Sequence, residues 1–208
     1  MKLLNKTQSG RSMVEMLGVL AIIGVLSVGG IAGYSKAMNK HKINKTIDEI
    51  TTISQNLRTL CLDGGDRCSG GLYCQANTSA PQLKAGCPIL KDLKLIPDDM
   101  LDEDTNNLVH SFNGNVQIMA ASDYFYISYC SIPKEACISL ATLDWTSVSS
   151  GISYLSVSVG HPSATAYSKE YATKNNITLT RENSLPMPVD VASEVCIHNS
   201  PCITMNFY

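Results

Sequence analysis

No acidic residue precedes Glu15, no charge of either sign occurs from Met16 to Ser35, and no proline interrupts residues 11–80. The last absence leaves a long stretch free to be helical, because an interior proline would break it. The charge-free run excludes an ordinary water-facing amphipathic helix, which needs a polar face. Two further absences bear on chemistry. No two of the eight cysteines stand at CxxC spacing, and His41, His110, His161 and His198 form no close ligand cluster, although His198 lies near Cys196 and Cys202. That argues against zinc, and no metal or other cofactor is expected. GxSxG, Walker and HExxH patterns are missing too, which removes the common signatures of α/β hydrolases, P-loop nucleotide hydrolases and zinc proteases. The serines of residues 146–168 lack a His or Asp placed for a triad and read as surface β-structure. With a formal charge of −2, the chain also lacks the basic excess that would recruit nucleic acid. It is not expected to be an enzyme.

What is present begins with residues 8–35, QSGRSMVEMLGVLAIIGVLSVGGIAGYS. The twenty uncharged residues from Met16 to Ser35 make roughly 30 Å of helix, enough to cross a bilayer core. Gly18, Gly24, Gly29, Gly30 and Gly33 punctuate them. Glycine is commoner in membrane helices than in soluble ones, and small residues also let helices approach closely. Three readings compete: a plain single-pass anchor, a signal peptide cut near Gly29–Gly33, or a helix that sits first in the membrane and later inside a polymer. Glu15 bears on the choice. A signal peptide runs from positive charge straight into its apolar core, with no acid between. An anchor tolerates an acid at the interface, where the helix dipole favours it. In a packed filament the same carboxylate is desolvated and needs a partner.

A leader ending in Gly10, an acid at Glu15 and a glycine-punctuated apolar helix together resemble a type IV prepilin. The resemblance implies cleavage between Gly10 and Arg11 by a membrane-bound prepilin peptidase, which then methylates the new amino terminus at Arg11. It implies that Glu15 acts in assembly by pairing with the amino terminus of a neighbouring subunit. Lys2 and Lys6, without an acid beside them, fit a cytoplasmic end. Arg11 departs from the apolar residue, such as Phe or Met, with which the family's mature chains usually begin.

Cys61, Cys68, Cys74, Cys87, Cys130, Cys137, Cys196 and Cys202 all lie beyond the apolar run, on the side that the positive leader sends across the membrane. An even number there reads as disulfides in an oxidising compartment. Similar pilins join the end of the sheet to the C-terminal segment. The resemblance therefore implies that Cys130 and Cys137 pair with Cys196 and Cys202, leaving the first four to pair among themselves.

Past Tyr34 the helix continues. Ile43, Ile47, Ile50, Ile53, Leu57 and Leu60 recur at helical steps as one apolar stripe, with Lys40, Lys42, Lys45, Asp48, Glu49 and Arg58 mostly off it. One helix from about Ser12 to Cys61 is predicted, its second half packed on a globular head. Cys61–Cys74 reads as a stapled loop; its DGGDR stretch lacks the acidic spacing of a calcium loop and reads as a surface turn. Pro88–Leu95 is a short helical turn stopped near Pro97. Asp98, Asp99, Asp102, Glu103 and Asp104 then form a solvated acidic loop. Asn113-Gly114 predicts a two-residue hairpin between Leu108–Phe112 and Val116–Ala120. Phe125–Ile132 is a strand, and Pro133–Leu143 a helix with Trp145 just past its end. Ile152–Val159 is a half-exposed strand. Residues 160–185 are polar and read as an irregular, surface-exposed loop. Pro188–Val195 is a short helix and Ile203–Tyr208 a last strand.

The order is α+β: a long N-terminal helix, membrane-spanning in its first half, packed on an antiparallel β-sheet head stapled by disulfides. The expected segments are a leader at 1–10, a membrane and filament-core helix at 11–36, its amphipathic continuation at 37–61 and a disulfide-rich head at 62–208. Cysteine placement, the segment ACISLATLDW and the C-terminal strand resemble the type IVb, PilS-like thin-pilus pilins. That resemblance implies a structural subunit of a pilus, held in the inner membrane with lipid around its helix and displayed outside after assembly. The partners implied are other pilin subunits, the prepilin peptidase and the inner-membrane assembly machinery; no nucleic-acid partner is expected. A minor pilin or a type II secretion pseudopilin shares the same N-terminus. A chain of another class, a secreted or membrane-anchored disulfide-rich binding domain, would use the apolar run only as signal or anchor.

Overall fold

The computed structural model describes residues 13–63, 68, 71–75, 86–121, 124–148, 151–159, 177–180, 186–196 and 201–208. The chain divides into two compact units after His41. A helix α1 (Met13–Leu57) is continuous and ends in a π-helical turn, Arg58–Leu62. That agrees with the uninterrupted helix predicted from the missing prolines.

In the first unit the apolar side chains of α1, from Leu17 to Ile31, are exposed. A Cβ placed on any of its five glycines meets no atom within 4 Å. There Ser27 Oγ donates its hydrogen bond to the Ile23 carbonyl at 2.7 Å, so its polarity is absorbed within the helix. By length and composition this stretch can cross a membrane.

The second unit, Lys42–Tyr208, carries the core. The stripe on α1 faces it: Ile50, Ile53 and Leu57 are fully buried, and Ile43, Ile47 and Leu60 pack against the same cluster. The sheet is antiparallel throughout. Its strands are β1 (Leu72–Cys74), β2 (Leu101–Asp102), β3 (Asn107–Val109), β4 (Asn115–Ala120), β5 (Phe125–Cys130), β6 (Ile152–Val159), β7 (Ile177–Thr180) and β8 (Pro201–Phe207). They lie in the order β2-β3-β4-β5-β8-β6-β7, with β1 also paired to β4. The C-terminal β8 thus enters between β5 and β6. Every residue of β5 and β8 is buried, as expected of interior strands covered on both faces. Across them Phe125 stacks on Phe207 with ring centroids 4.7 Å apart, and the buried hydroxyls of Ser128 and Thr204 share a hydrogen bond of 2.7 Å.

Among the described residues the α-helices are α1, α2 (Gly86–Asp92), α3 (Lys134–Ala141), α4 (Trp145–Val148) and α5 (Val189–Val195). Pro133 and Pro188 stand at the N-caps of α3 and α5 with extended ψ of 148° and 144°, the non-helical conformation usual at that position. Trp145 opens α4 and is fully buried, its indole N–H donating to the Leu140 carbonyl at 2.7 Å.

Three sequence expectations need correction. The turn at Asn113-Gly114 is not a two-residue hairpin. The last strand pair is Val109 with Asn115. The Asn113 N–H bonds the His110 carbonyl at 2.8 Å and the His110 N–H bonds the Gly114 carbonyl at 3.0 Å. Asn113 alone takes the left-handed conformation, φ 61°, which is the three-residue hairpin loop rather than the two-residue one. Second, residues 160–185 are not irregular throughout. Ile177–Thr180 pairs with β6, consistent with the β-branched sequence ITLT; most of that predicted loop lies outside the described residues, as do residues 64–67 of the DGGDR stretch. Third, Glu49 does not lie off the packed face but is buried.

Candidate functional site

Of the residues singled out for processing, Gly10 and Arg11 lie outside the described residues. Glu15 stands in the first turn of α1, exposed, at the head of the apolar stretch. An acid in the first turn is favoured by the helix dipole.

All eight cysteines are disulfide-bonded: Cys61 to Cys68, Cys74 to Cys87, Cys130 to Cys202 and Cys137 to Cys196. The first two staple the segment between α1 and the sheet, tying β1 to α2. The last two tie the C-terminal quarter back. Cys130 and Cys202 are directly opposed across β5 and β8. The Cys137–Cys196 bond joins α3 to the end of α5, and α3 packs in turn on β8. Among the described residues no group of three or more His, Cys, Asp or Glu side chains could hold a metal ion.

The acidic stretch after Pro97 is exposed, as expected, except for the half-buried Asp102, which accepts from the Thr105 hydroxyl at 2.7 Å, and three of its acids pair with lysines. Asp99 pairs with Lys45 of α1, Asp98 with Lys94 at 2.9 Å and Glu103 with Lys91 at 2.6 Å. The Lys45 ammonium holds the Asp99 carboxyl below its ordinary range. The pair links α1 to the turn before β2, although exposed ion pairs contribute only about 0–1 kcal/mol.

A buried polar cluster sits where α1 meets the β3–β4 hairpin, and the sequence reading missed it. Glu49 Oε1 accepts a hydrogen bond from Ser111 Oγ at 3.0 Å, while Oε2 is buried with no hydrogen-bond partner among the described residues. Burial pushes the Glu49 carboxyl up to about 7, opposed by the Ser111 hydrogen bond and the Lys45 charge. Beside it, His110 Nε2 lies 2.8 Å from the Cys130 carbonyl and Nδ1 accepts from the Phe112 N–H at 3.2 Å. A carbonyl only accepts, so the hydrogen is on Nε2, and the neutral ring is fully used. Burial lowers the His110 pKa. Tyr129 packs on His110 with centroids 5.4 Å apart; its hydroxyl is buried without a hydrogen-bond partner among the described residues, and burial, with Glu49 nearby, pushes its pKa well up. The available signal was weak: Thr46, Glu49 and Ile53 form a second row, at steps of three and four, along the edge of the apolar stripe.

A family model described as PilS N terminal matches residues 40–183, more than half of the chain. The chain belongs to the PilS family of type IVb pilins. Two relatives are major structural subunits of the bundle-forming pilus. The one from Escherichia coli O111:H- is 25% identical over 182 residues, covering 85% of this chain and 79% of the relative. The one from Escherichia coli O127:H6 (strain E2348/69 / EPEC) is 26% identical over 148 residues, 69% of each chain. As a PilS-family chain, this protein is a structural pilin. Its long helix, antiparallel sheet and four disulfides are the pilin head and stem expected from the sequence.

Proposed function

We propose that this pilin is cut between Gly10 and Arg11 by a prepilin peptidase, methylated at Arg11, and polymerised through residues 11–36 into a type IVb-like pilus. Segments 1–10, 11–36, 37–61 and 62–208 are then leader, filament-core helix, helix continuation and head. The observation that carries this reading is the first unit of α1. Twenty uncharged residues, from Met16 to Ser35, expose their apolar side chains and follow the single acid Glu15. Such a surface needs an apolar environment. Lipid supplies it while the subunit is held in the inner membrane, and helices of other pilin subunits supply it once the assembly machinery has extracted the subunit.

In the filament the Glu15 carboxylate loses interfacial water and pairs with the methylated amino terminus of a neighbouring subunit, which offsets its desolvation. The glycines permit close approach between helices. The head faces outward, held by its disulfides, and its role is structural rather than catalytic.

Mass spectrometry of the N-terminal peptide from material sheared off the cell surface tests the proposal. A methylated chain beginning at Arg11 is expected. An N-terminus near Tyr34, or an intact Met1 found only in membranes, overturns it and favours a secreted or anchored binding domain.

A further inference from the structure

Glu49 is a carboxyl group built into a helix–sheet interface with only half of its hydrogen-bonding capacity met. Ser111, at the hairpin tip, serves Oε1; Oε2 is buried and receives no donor from the described residues. An anion there has one hydrogen bond, from Ser111, for two buried oxygens, whereas the neutral acid is far less costly to bury.

The surrounding charges relieve it little: Lys45 favours the anion but is shared, and two acids oppose it. On α1, Lys45 is engaged by Asp99, and Asp48 adds repulsion. From the turn before β2, Asp99 repels it as well. Within the hairpin, His110 is neutral, with both ring nitrogens committed to backbone groups. The Lys42 ammonium lies over the Phe112 ring, 5.7 Å from its centroid. On β5, Tyr129 presents a buried neutral hydroxyl. Docking of the helix on the hairpin therefore rests on Ser111–Glu49, Lys42–Phe112 and the apolar packing, with the fate of one proton in the middle.

We propose that the Glu49–Ser111 contact is a proton-dependent latch: residues 42–50 of α1 and the hairpin tip 110–114 stay closed while Glu49 carries its proton, and open to admit water when it ionises. The sign follows from linkage. Burial raises the Glu49 pKa in the folded chain, so the folded state binds more protons than the unfolded one. Closure is then complete in acid and weakens as pH rises toward and past neutrality. His110 works in the opposite sense, because burial lowers its pKa and protonation costs it the Phe112 N–H. Loosening at high pH thus belongs to Glu49. The latch lies in the head and operates whether or not the N-terminus is processed. In a filament it would make the joint between helix and head stiffer in acid.

Hydrogen exchange on the full chain in detergent micelles tests this. Protection of amides in 42–50 and 110–114, corrected for intrinsic exchange, is expected to fall at least about tenfold between about pH 5.5 and about pH 8.5. Amides of β5 and β8 stay protected. Glu49→Gln keeps the shape and the acceptor for Ser111, and should hold both segments closed at both pH values. Unchanged protection in the wild type, or an equal loss in Glu49→Gln, overturns the latch. The carboxyl carbon of Glu49, titrated by NMR in the wild type, gives an answer independent of the variant. A midpoint near neutrality supports the latch and an ordinary carboxylate midpoint overturns it.

Discussion

A Cβ built on Gly114 would stand 2.1 Å from the carbonyl oxygen of Cys130 and 2.4 Å from His110 Nε2. The hairpin tip and the end of β5 are in backbone contact there, and only a residue without a side chain fits. The need is for close approach rather than for unusual dihedrals, because the left-handed position in this turn is Asn113. Gly114→Ala should therefore push the tip off β5, break the His110–Cys130 hydrogen bond and destabilise the head by about 1–3 kcal/mol. Chemical denaturation in detergent measures it. Asn113→Ala acts by another route, through a strained φ, and leaves the Cys130 contact intact.

The two classes of disulfide should differ in what they contribute. Cys137 and Cys196 are 59 residues apart in sequence, whereas Cys61 and Cys68 are 7 apart. Loop-closure entropy assigns about 4 kcal/mol to the first taken singly, about 3 kcal/mol with the nested Cys130–Cys202 bond still in place, and about 2.5 kcal/mol to the second. Replacing each pair by alanine and comparing denaturation midpoints checks the order. A Cys61/Cys68 double variant less stable than the Cys137/Cys196 one would contradict it.

The stability of the whole head should depend on pH in two opposing windows. Glu49, raised to about 7 from its ordinary 4.5, stabilises fully below its unfolded value. It loses that contribution as pH rises to about 7, by on the order of 3 kcal/mol. His110 is lowered from 6.5, so its contribution is present above 6.5 and is lost as pH falls below it. Denaturation of Glu49→Gln should retain only the second dependence, with stability rising with pH.

Glu15→Gln should leave the leader cut in place but impair assembly, because the neutral amide offers no charge to a neighbouring amino terminus. The subunit is expected in the membrane fraction with its leader removed, and filament recovered by shearing should drop to a small fraction of wild type. A normal filament yield would remove Glu15 from the assembly step.

The stem was legible in the sequence because its cause is local. A charge-free stretch without proline can hardly be anything but helix, and the stripe from Ile43 to Leu60 identifies its buried face by spacing alone. Most strands and short helices were legible too, from β-branched runs and from prolines at first turns. The cysteine partners were not derivable from their spacing. Their split into two groups came from family resemblance, and the bonds depend on which strands become neighbours.

Only the tertiary structure decided three matters. It inserted β8 between β5 and β6, which brought Cys202 opposite Cys130. It made the turn at Asn113-Gly114 a three-residue loop whose tip meets both Cys130 and α1. It also buried Glu49, a residue whose place beside the stripe gives no sign of its surroundings. A periodic pattern reports which side of a helix is dry. What a side chain at the margin meets there depends on a loop 62 residues further along the chain, and that is settled only when helix and sheet pack.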